Sequence, residues 1–419
     1  MVSRYRVLFS VPGFARLLVS SVLGRMPSGM FSLAILLFVR AQTGSFLPAG
    51  LAVGAFTLSG AIMSPLLGGL VDRLGQPRVL LPCAVGQSAL VVGFVLVLRT
   101  GVPLAAIVAS AALAGALLPP VSGCVRALWS QVAPDAEALE IAYALDAISQ
   151  ELIYTLGPLS AGTTAVLLSP TFAVLLCAAV TLAGTALFAT SIYSRGWRAL
   201  GSERQPGGAL GSGGLRTLLV SVLFAGVVIG AAEVGLPALA VHLGSRAWSG
   251  VFLALFSLGS MTGGVLYSAR SFSSPVAGRY VTVLLAVEFS LTPLILVHSL
   301  VAALLFSAIA GLGVAPMLSC QFSLVGALAP AGTTTEAFTW HRGATVAGIA
   351  AGSALGGTLV QAIGVNASFA LACTGAALAG MLAAFGRGRM EPAPRKDPLA
   401  LSASDVLGLS RPASLRRVA

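Results

Sequence analysis

Five ionisable residues sit inside stretches that are otherwise apolar: Arg25, Asp146, Glu151, Glu233 and Glu288. A charge held in hydrocarbon is costly and needs a reason to be there. A carboxylate in low dielectric can change its protonation state as its surroundings change, which is what a proton carrier needs. Glu233 and Glu288 each have no other charge within a helical turn. Arg25 lies about eleven residues into its run, roughly 16 Å at the helical rise, and Glu151 reaches a similar depth in its own run. Asp146 lies one to two turns nearer the end of that run. It reads either as a partner in the same chemistry or as a wetted residue at the mouth.

The elements that must carry these residues follow from composition. The chain has 419 residues, 57% hydrophobic and 9% charged, with a mean hydropathy of +0.96. A water-soluble domain carries roughly 25% charged residues, so the chain reads as a polytopic membrane protein. Twelve apolar runs of bilayer-crossing length can be placed, at 14–39, 47–70, 79–98, 102–125, 139–167, 171–193, 216–241, 247–269, 279–298, 300–328, 335–362 and 366–385. With the amino terminus inside, nineteen of the 24 basic residues fall on the cytoplasmic side. Only Arg40, Arg99 and Arg246 fall on the other, while Arg25 and Arg342 lie within spans. The excess puts both termini in the cytoplasm.

Other chemistries find little support. The net charge of +11 is scattered through short loops, whereas nucleic-acid binding needs a basic patch or stripe. Cys83, Cys124, Cys177, Cys320 and Cys373 all fall in apolar runs without metal-ligand or redox-pair spacing. No GxxxxGK phosphate loop, HExxH zinc motif or GxSxG elbow occurs, so an enzyme is not expected.

The stretch Gly68–Arg78 joins the second and third spans and places Gly68, Asp72, Arg73, Gly75 and Arg78 in a tight charged hairpin. Its spacing resembles the signature loop of the major facilitator superfamily. A repeat adds to the resemblance. Shifting the sequence by 196 lays Pro120 on Pro316, Cys124 on Cys320, Leu128 on Leu324, Ala133 on Ala329, Pro134 on Pro330 and Glu140 on Glu336. Parallel six-helix halves are how that transporter fold is built. The stretches Arg126–Trp129 and Ala329–Trp340 are similar to bacterial drug-exporter-type members.

The resemblance implies an all-α membrane protein with twelve transmembrane helices in two pseudo-symmetric halves. The expected divisions are residues 1–193, a cytoplasmic linker at 194–215, residues 216–386, and a disordered basic tail at 387–419. Because spans 1 and 5 are neighbours in that fold, it also implies a buried Arg25–Glu151 pair, either for coupling or purely structural. Span 7 is central and span 9 peripheral, which ranks Glu233 above Glu288; Glu288 can equally be protonated or bonded to a neighbouring helix. Asp72 would contact the start of span 11, at Thr335 and Glu336, where exposed amides favour an anion. Arg73 and Arg78 would meet carboxylates such as Glu140 and Glu336, or lipid phosphates, or serve orientation alone.

Gly157, Pro158 and Gly162 resemble the Gly-Pro motif of the family's antiporters, although Ile153 replaces an upstream glycine. Pro119, Pro120 and Pro316 are expected to break spans 4 and 10. Trp340 and His341 are candidates for substrate contact or interfacial anchoring.

The implied function is secondary active transport of a small molecule, amphipathic or cationic, across the cytoplasmic membrane. A proton-coupled exporter is the first reading; proton-linked uptake of a metabolite and a non-transporting scaffold or sensor are the alternatives. The expected protein is a monomer in the lipid bilayer, with no cofactor beyond the proton gradient, no metal and no nucleic-acid partner.

Overall fold

The computed structural model describes residues 2–197, 207–244, 248–272 and 274–391, and these are helical with no strand among them. The helices are α1 (Val2–Phe9), α2 (Phe14–Arg25), α3 (Pro27–Thr43), α4 (Phe46–Leu74), α5 (Gln76–Leu98), α6 (Leu104–Ala116), α7 (Val121–Val132), α8 (Ala136–Leu167), α9 (Pro170–Ala189) and α10 (Ile192–Gly196). After a 3-10 turn at Gly208–Gly211 come α11 (Gly213–His242), α12 (Ser249–Ser268), α13 (Val276–Leu291), α14 (Pro293–Leu296), α15 (Leu300–Gly311), α16 (Val314–Leu328), α17 (Thr334–Ala362), α18 (Val365–Phe385) and α19 (Arg387–Met390).

Among the described residues, eleven helical segments are long and apolar enough to cross a membrane. The remaining expected span, the fifth at 139–167, coincides with α8, which at 32 residues has the length but carries Glu137, Glu140, Asp146 and Glu151. The bundle turns apolar side chains outward as well as inward. Along α4, Leu58, Ile62 and Leu66 are each more than half exposed and recur at the i, i+4 spacing of one helical face. Such stripes suit lipid rather than water.

Prolines and a glycine set where the helices stop. The fourth span breaks between α6 and α7 at Pro119 and Pro120. The tenth breaks at Leu312–Gly313, and Pro316 falls in the first turn of α16, where its missing N–H costs nothing. Two further breaks were not foreseen. The first span divides at Met26 before Pro27, and the ninth at Thr292 before Pro293. Both residues keep helical dihedrals (φ −48°, ψ −43° and φ −53°, ψ −42°), so what interrupts each helix is the N–H that proline lacks. In the hairpin the non-helical residue is Gly75 alone, at φ 89°, a conformation glycine adopts without a Cβ penalty. Asp72 and Arg73 therefore ride on the last turn of α4 rather than in a loop.

The expected linker and tail are partly ordered. Trp197 and Ala209 are buried at the edges of the linker, and residues 198–206 lie outside the described residues. At the other end α19 packs Met390 into the core, which corrects a disordered tail beginning at 387. Residues 392–419 lie outside the described residues.

Candidate functional site

Two sets of polar residues tie the bundle together, one at mid-depth and one at the hairpin end. The first lies within the first half. Arg25 ends α2, and its guanidinium donates to Asp146 Oδ1 at 2.7 Å, to the Ser21 carbonyl at 3.0 Å and to Ser21 Oγ at 3.2 Å. Arg126 on α7 donates to Asp146 Oδ2 at 2.7 Å and to Gln150 Oε1. Asp146 is fully buried and both arginines are 2% exposed. This corrects two expectations. Arg25 pairs with Asp146, not Glu151, and Asp146 is not a wetted residue at the mouth.

The geometry of α8 explains the swap. Asp146 and Glu151 are five residues apart, about 140° around a helix. Their depths are similar but they face opposite ways. Asp146 turns toward α2 and α7, whereas Glu151 turns toward the second half, beside Ser260 of α12 and within electrostatic reach of Glu233 on α11. Glu151 is half-buried and Glu233 exposed, although both lie between the halves. Glu288 is not part of this group: it lies on α13 next to Cys373 of α18.

The second set joins the halves at the hairpin end. The Asp72 carboxylate accepts from the backbone N–H of Thr335 at 3.0 Å and of Glu336 at 2.9 Å. These are orphan amides of the first turn of α17, which carry the positive end of the helix dipole. The approach is close because position 68 is glycine: a Cβ there would stand 2.5 Å from Thr339 Oγ1 and 3.1 Å from the Glu336 Cα. A second arm crosses in the other direction, where Arg279 of α13 grips both oxygens of Glu140 on α8 in a two-pronged pair. Arg73 and Arg78 are exposed. Between the arms, Tyr143 packs on Phe322 and Phe338, and the Arg126 guanidinium lies 3.8 Å over the Phe322 ring.

Within the first half, the Gly-Pro motif acts as a packing device. A Cβ on Gly157 would meet the Gly29 backbone at 2.7 Å, whereas one on Gly162 would make only an ordinary contact with Leu33. Gly157 is therefore the residue that lets α3 and α8 touch backbone to backbone.

Sequence reasoning missed the roles of Arg126 and Arg342 and misread His341. Arg126 was counted as a loop residue, but α7 runs on to Val132 and carries it inside. The one available signal was a basic residue within the apolar stretch now seen as Leu104–Val132. Arg342 donates to Tyr154 Oη across the halves at 3.1 Å. His341 is 2% exposed and is neither an interfacial anchor nor open to substrate. It hydrogen-bonds Gln321 at 2.9 Å, Gln321 donates to Tyr280, Tyr280 bonds Ser221, and Ser221 donates to the Ala379 carbonyl. Trp340 beside it is half-buried.

A bundle of bilayer-length helices in two halves, with buried charges at mid-depth and a polar lock at one end, defines a multi-pass membrane transporter. A family model of the Major Facilitator Superfamily matches residues 17–287, and the chain belongs to that superfamily. Among curated proteins, the MFS-type transporter y4rN of Sinorhizobium fredii (strain NBRC 101917 / NGR234) is 31% identical over 176 residues. That match covers 42% of this chain and 43% of the relative, less than half the length of either. The fold is similar to that of the human organic anion transporter MFSD10, with a TM-score of 0.69 at 18% identity over 91% of this chain and 99% of that one. It is also similar to a bacterial homologue of the iron transporter ferroportin in an outward-facing state, with a TM-score of 0.70 at 15% identity over 89% of this chain and 99% of that one.

Proposed function

We propose that the chain is a proton-coupled exporter working by alternating access, with twelve spans, α8 supplying the fifth, and both termini in the cytoplasm. The observation that carries this reading is the position of Glu151. Unlike Glu140, which is locked to Arg279, it faces across the halves with no arginine partner among the described residues, next to Ser260 and in reach of Glu233. A carboxylate there changes its surroundings whenever the halves rock, and a group whose environment differs between two states can couple protonation to their equilibrium. Asp72 and Arg279 hold the hairpin end shut, while Glu233 and Tyr154, which lie between the halves, are exposed. The state described is therefore read as closed toward the cytoplasm and open on the other side.

The roles follow from placement. Glu151 takes and releases the proton; Glu233 shares its field and tunes it. Asp72 and the α17 amides form the cytoplasmic gate, and Glu140 with Arg279 forms its second arm. The substrate is a small amphipathic molecule bound between the halves.

Proton flux in inside-out vesicles with a preset pH gradient tests this reading. A panel of amphipathic compounds is pulsed onto the parent, Glu151→Gln and Glu233→Gln. A compound that dissipates the gradient in the parent, and at least tenfold more slowly in Glu151→Gln, is the expected result. Movement of the proton in the same direction as the substrate would make the protein an uptake carrier. Flux unchanged in Glu151→Gln would remove that residue from the mechanism.

A further inference from the structure

The guanidiniums gathered round Asp146 carry more positive charge than the one carboxylate in contact with them balances. Arg25 and Arg126 share the single carboxylate of Asp146, and Arg342 lies within electrostatic reach of Arg126. Buried charges ordinarily come paired, because an unpaired one forfeits its hydration without return. Part of the excess is met by neutral groups: Gln150 accepts from Arg126, and Phe322 offers it an aromatic face. Arg342 has a weaker arrangement. The residue is half-buried, and its guanidinium donates across the halves to the neutral Tyr154 hydroxyl at 3.1 Å.

The repeat shows how this arose. The shift of 196 that relates the two halves lays Arg126 on Phe322 and Asp146 on Arg342. In the first half those two positions hold an arginine and the aspartate that neutralises it. In the second half they hold a phenylalanine and an arginine, so this pair of positions carries a cation and no carboxylate. The two repeat-related positions Arg126 and Phe322 touch across the interface, which puts the second cation beside the first pair rather than far from it.

We infer that Arg342 and the Tyr154 hydroxyl form a binding subsite for an anionic group, a carboxylate, sulfonate or phosphate, on an amphipathic substrate. A guanidinium and a phenol hydroxyl present the fork and the extra donor that such oxygens accept. Arg126, held behind Phe322, adds attraction at short range without contact. The substrate class thus becomes anionic, in place of the cationic alternative. The inference rests on the transport reading only for the purpose of the site, since binding needs no gradient.

Thermal unfolding of the full chain in detergent, at constant ionic strength, tests it with benzoate as the probe and benzylamine as its cationic counterpart. The expected result is a saturable rise in Tm with benzoate and none with benzylamine. Arg342→Gln should weaken the apparent affinity for benzoate at least tenfold, Arg342→Lys should weaken it less, and Arg99→Gln, an exposed control, should leave it unchanged. The Tm without ligand shows whether each variant folds. No saturable rise in the parent, an equal rise with benzylamine, or full benzoate affinity in a folded Arg342→Gln would overturn the inference. A failed proton-flux assay alongside normal benzoate binding would instead count against the coupling, not the site.

Discussion

Asp146 and Glu151 share a helix and a depth, yet they do opposite work. Asp146 satisfies two buried guanidiniums and stands as the keystone of the first half. Replacing it with asparagine leaves two cations with no counter-charge, and removing one partner of a buried pair costs about 3–5 kcal/mol. Asp146→Asn is therefore expected to lower the unfolding temperature in detergent sharply. Glu151→Gln has no ion pair to break and is expected to unfold within about 1 kcal/mol of the parent. Equal stabilities for the two variants would contradict the assignment. The sequence presents both residues as acids in one apolar run, so type and depth could not separate them. The separating fact is which helix lies opposite each face, and that is fixed by contacts 121 residues apart in the chain.

At the scale of elements, the apolar runs and the prolines were readable because each acts locally. A run of bilayer length must span, and a proline must release the N–H of its own turn. Span 8 and the fourth-span break behaved as read. Arg126 did not, because its helix extends seven residues past the expected end at 125, and a boundary error of two turns moves a residue from loop to core. The contact of α3 with α8 was legible only as a Gly-Pro resemblance. Its physical content is the missing Cβ at Gly157. Adding a side chain there forces two backbones apart, and overpacking of this kind typically costs about 1–3 kcal/mol. Gly157→Val is expected to fall in that range, while Gly162→Val, which faces only ordinary contacts, should stay within about 0.5 kcal/mol. Thermal unfolding of the pair checks the contrast, and a larger loss at Gly162 would show that the motif packs elsewhere.

At the scale of the whole molecule, the two halves meet through unlike chemistry placed by like topology. One arm sets a carboxylate against helix amides, and the other sets an arginine against a carboxylate. The first was legible because the family hairpin carries it. The second was not, since Arg279 stands at the edge of its apolar run and nothing in its spacing ties it to Glu140, 139 residues away in the chain. Each arm must break if the halves rock. A hydrogen bond to a charged group is worth about 1.5–3 kcal/mol, so weakening the Asp72 arm should shift the equilibrium between closed and open hairpin ends by about tenfold or more.

The most direct measurement is the distance between the halves, read by pulsed electron spin resonance from two pairs of spin labels in nanodiscs. One pair, at Leu74 and Ala331, spans the hairpin end; the other, at Gln42 and Gln361, spans the opposite end, and all four positions are exposed. Alternating access predicts two populations at each end. Asp72→Asn should enlarge the longer-distance population at the hairpin end and the shorter-distance population at the other. A single unchanging distance at both ends, in the parent and in Asp72→Asn alike, would mean that the halves do not rock and that the hairpin is not a gate.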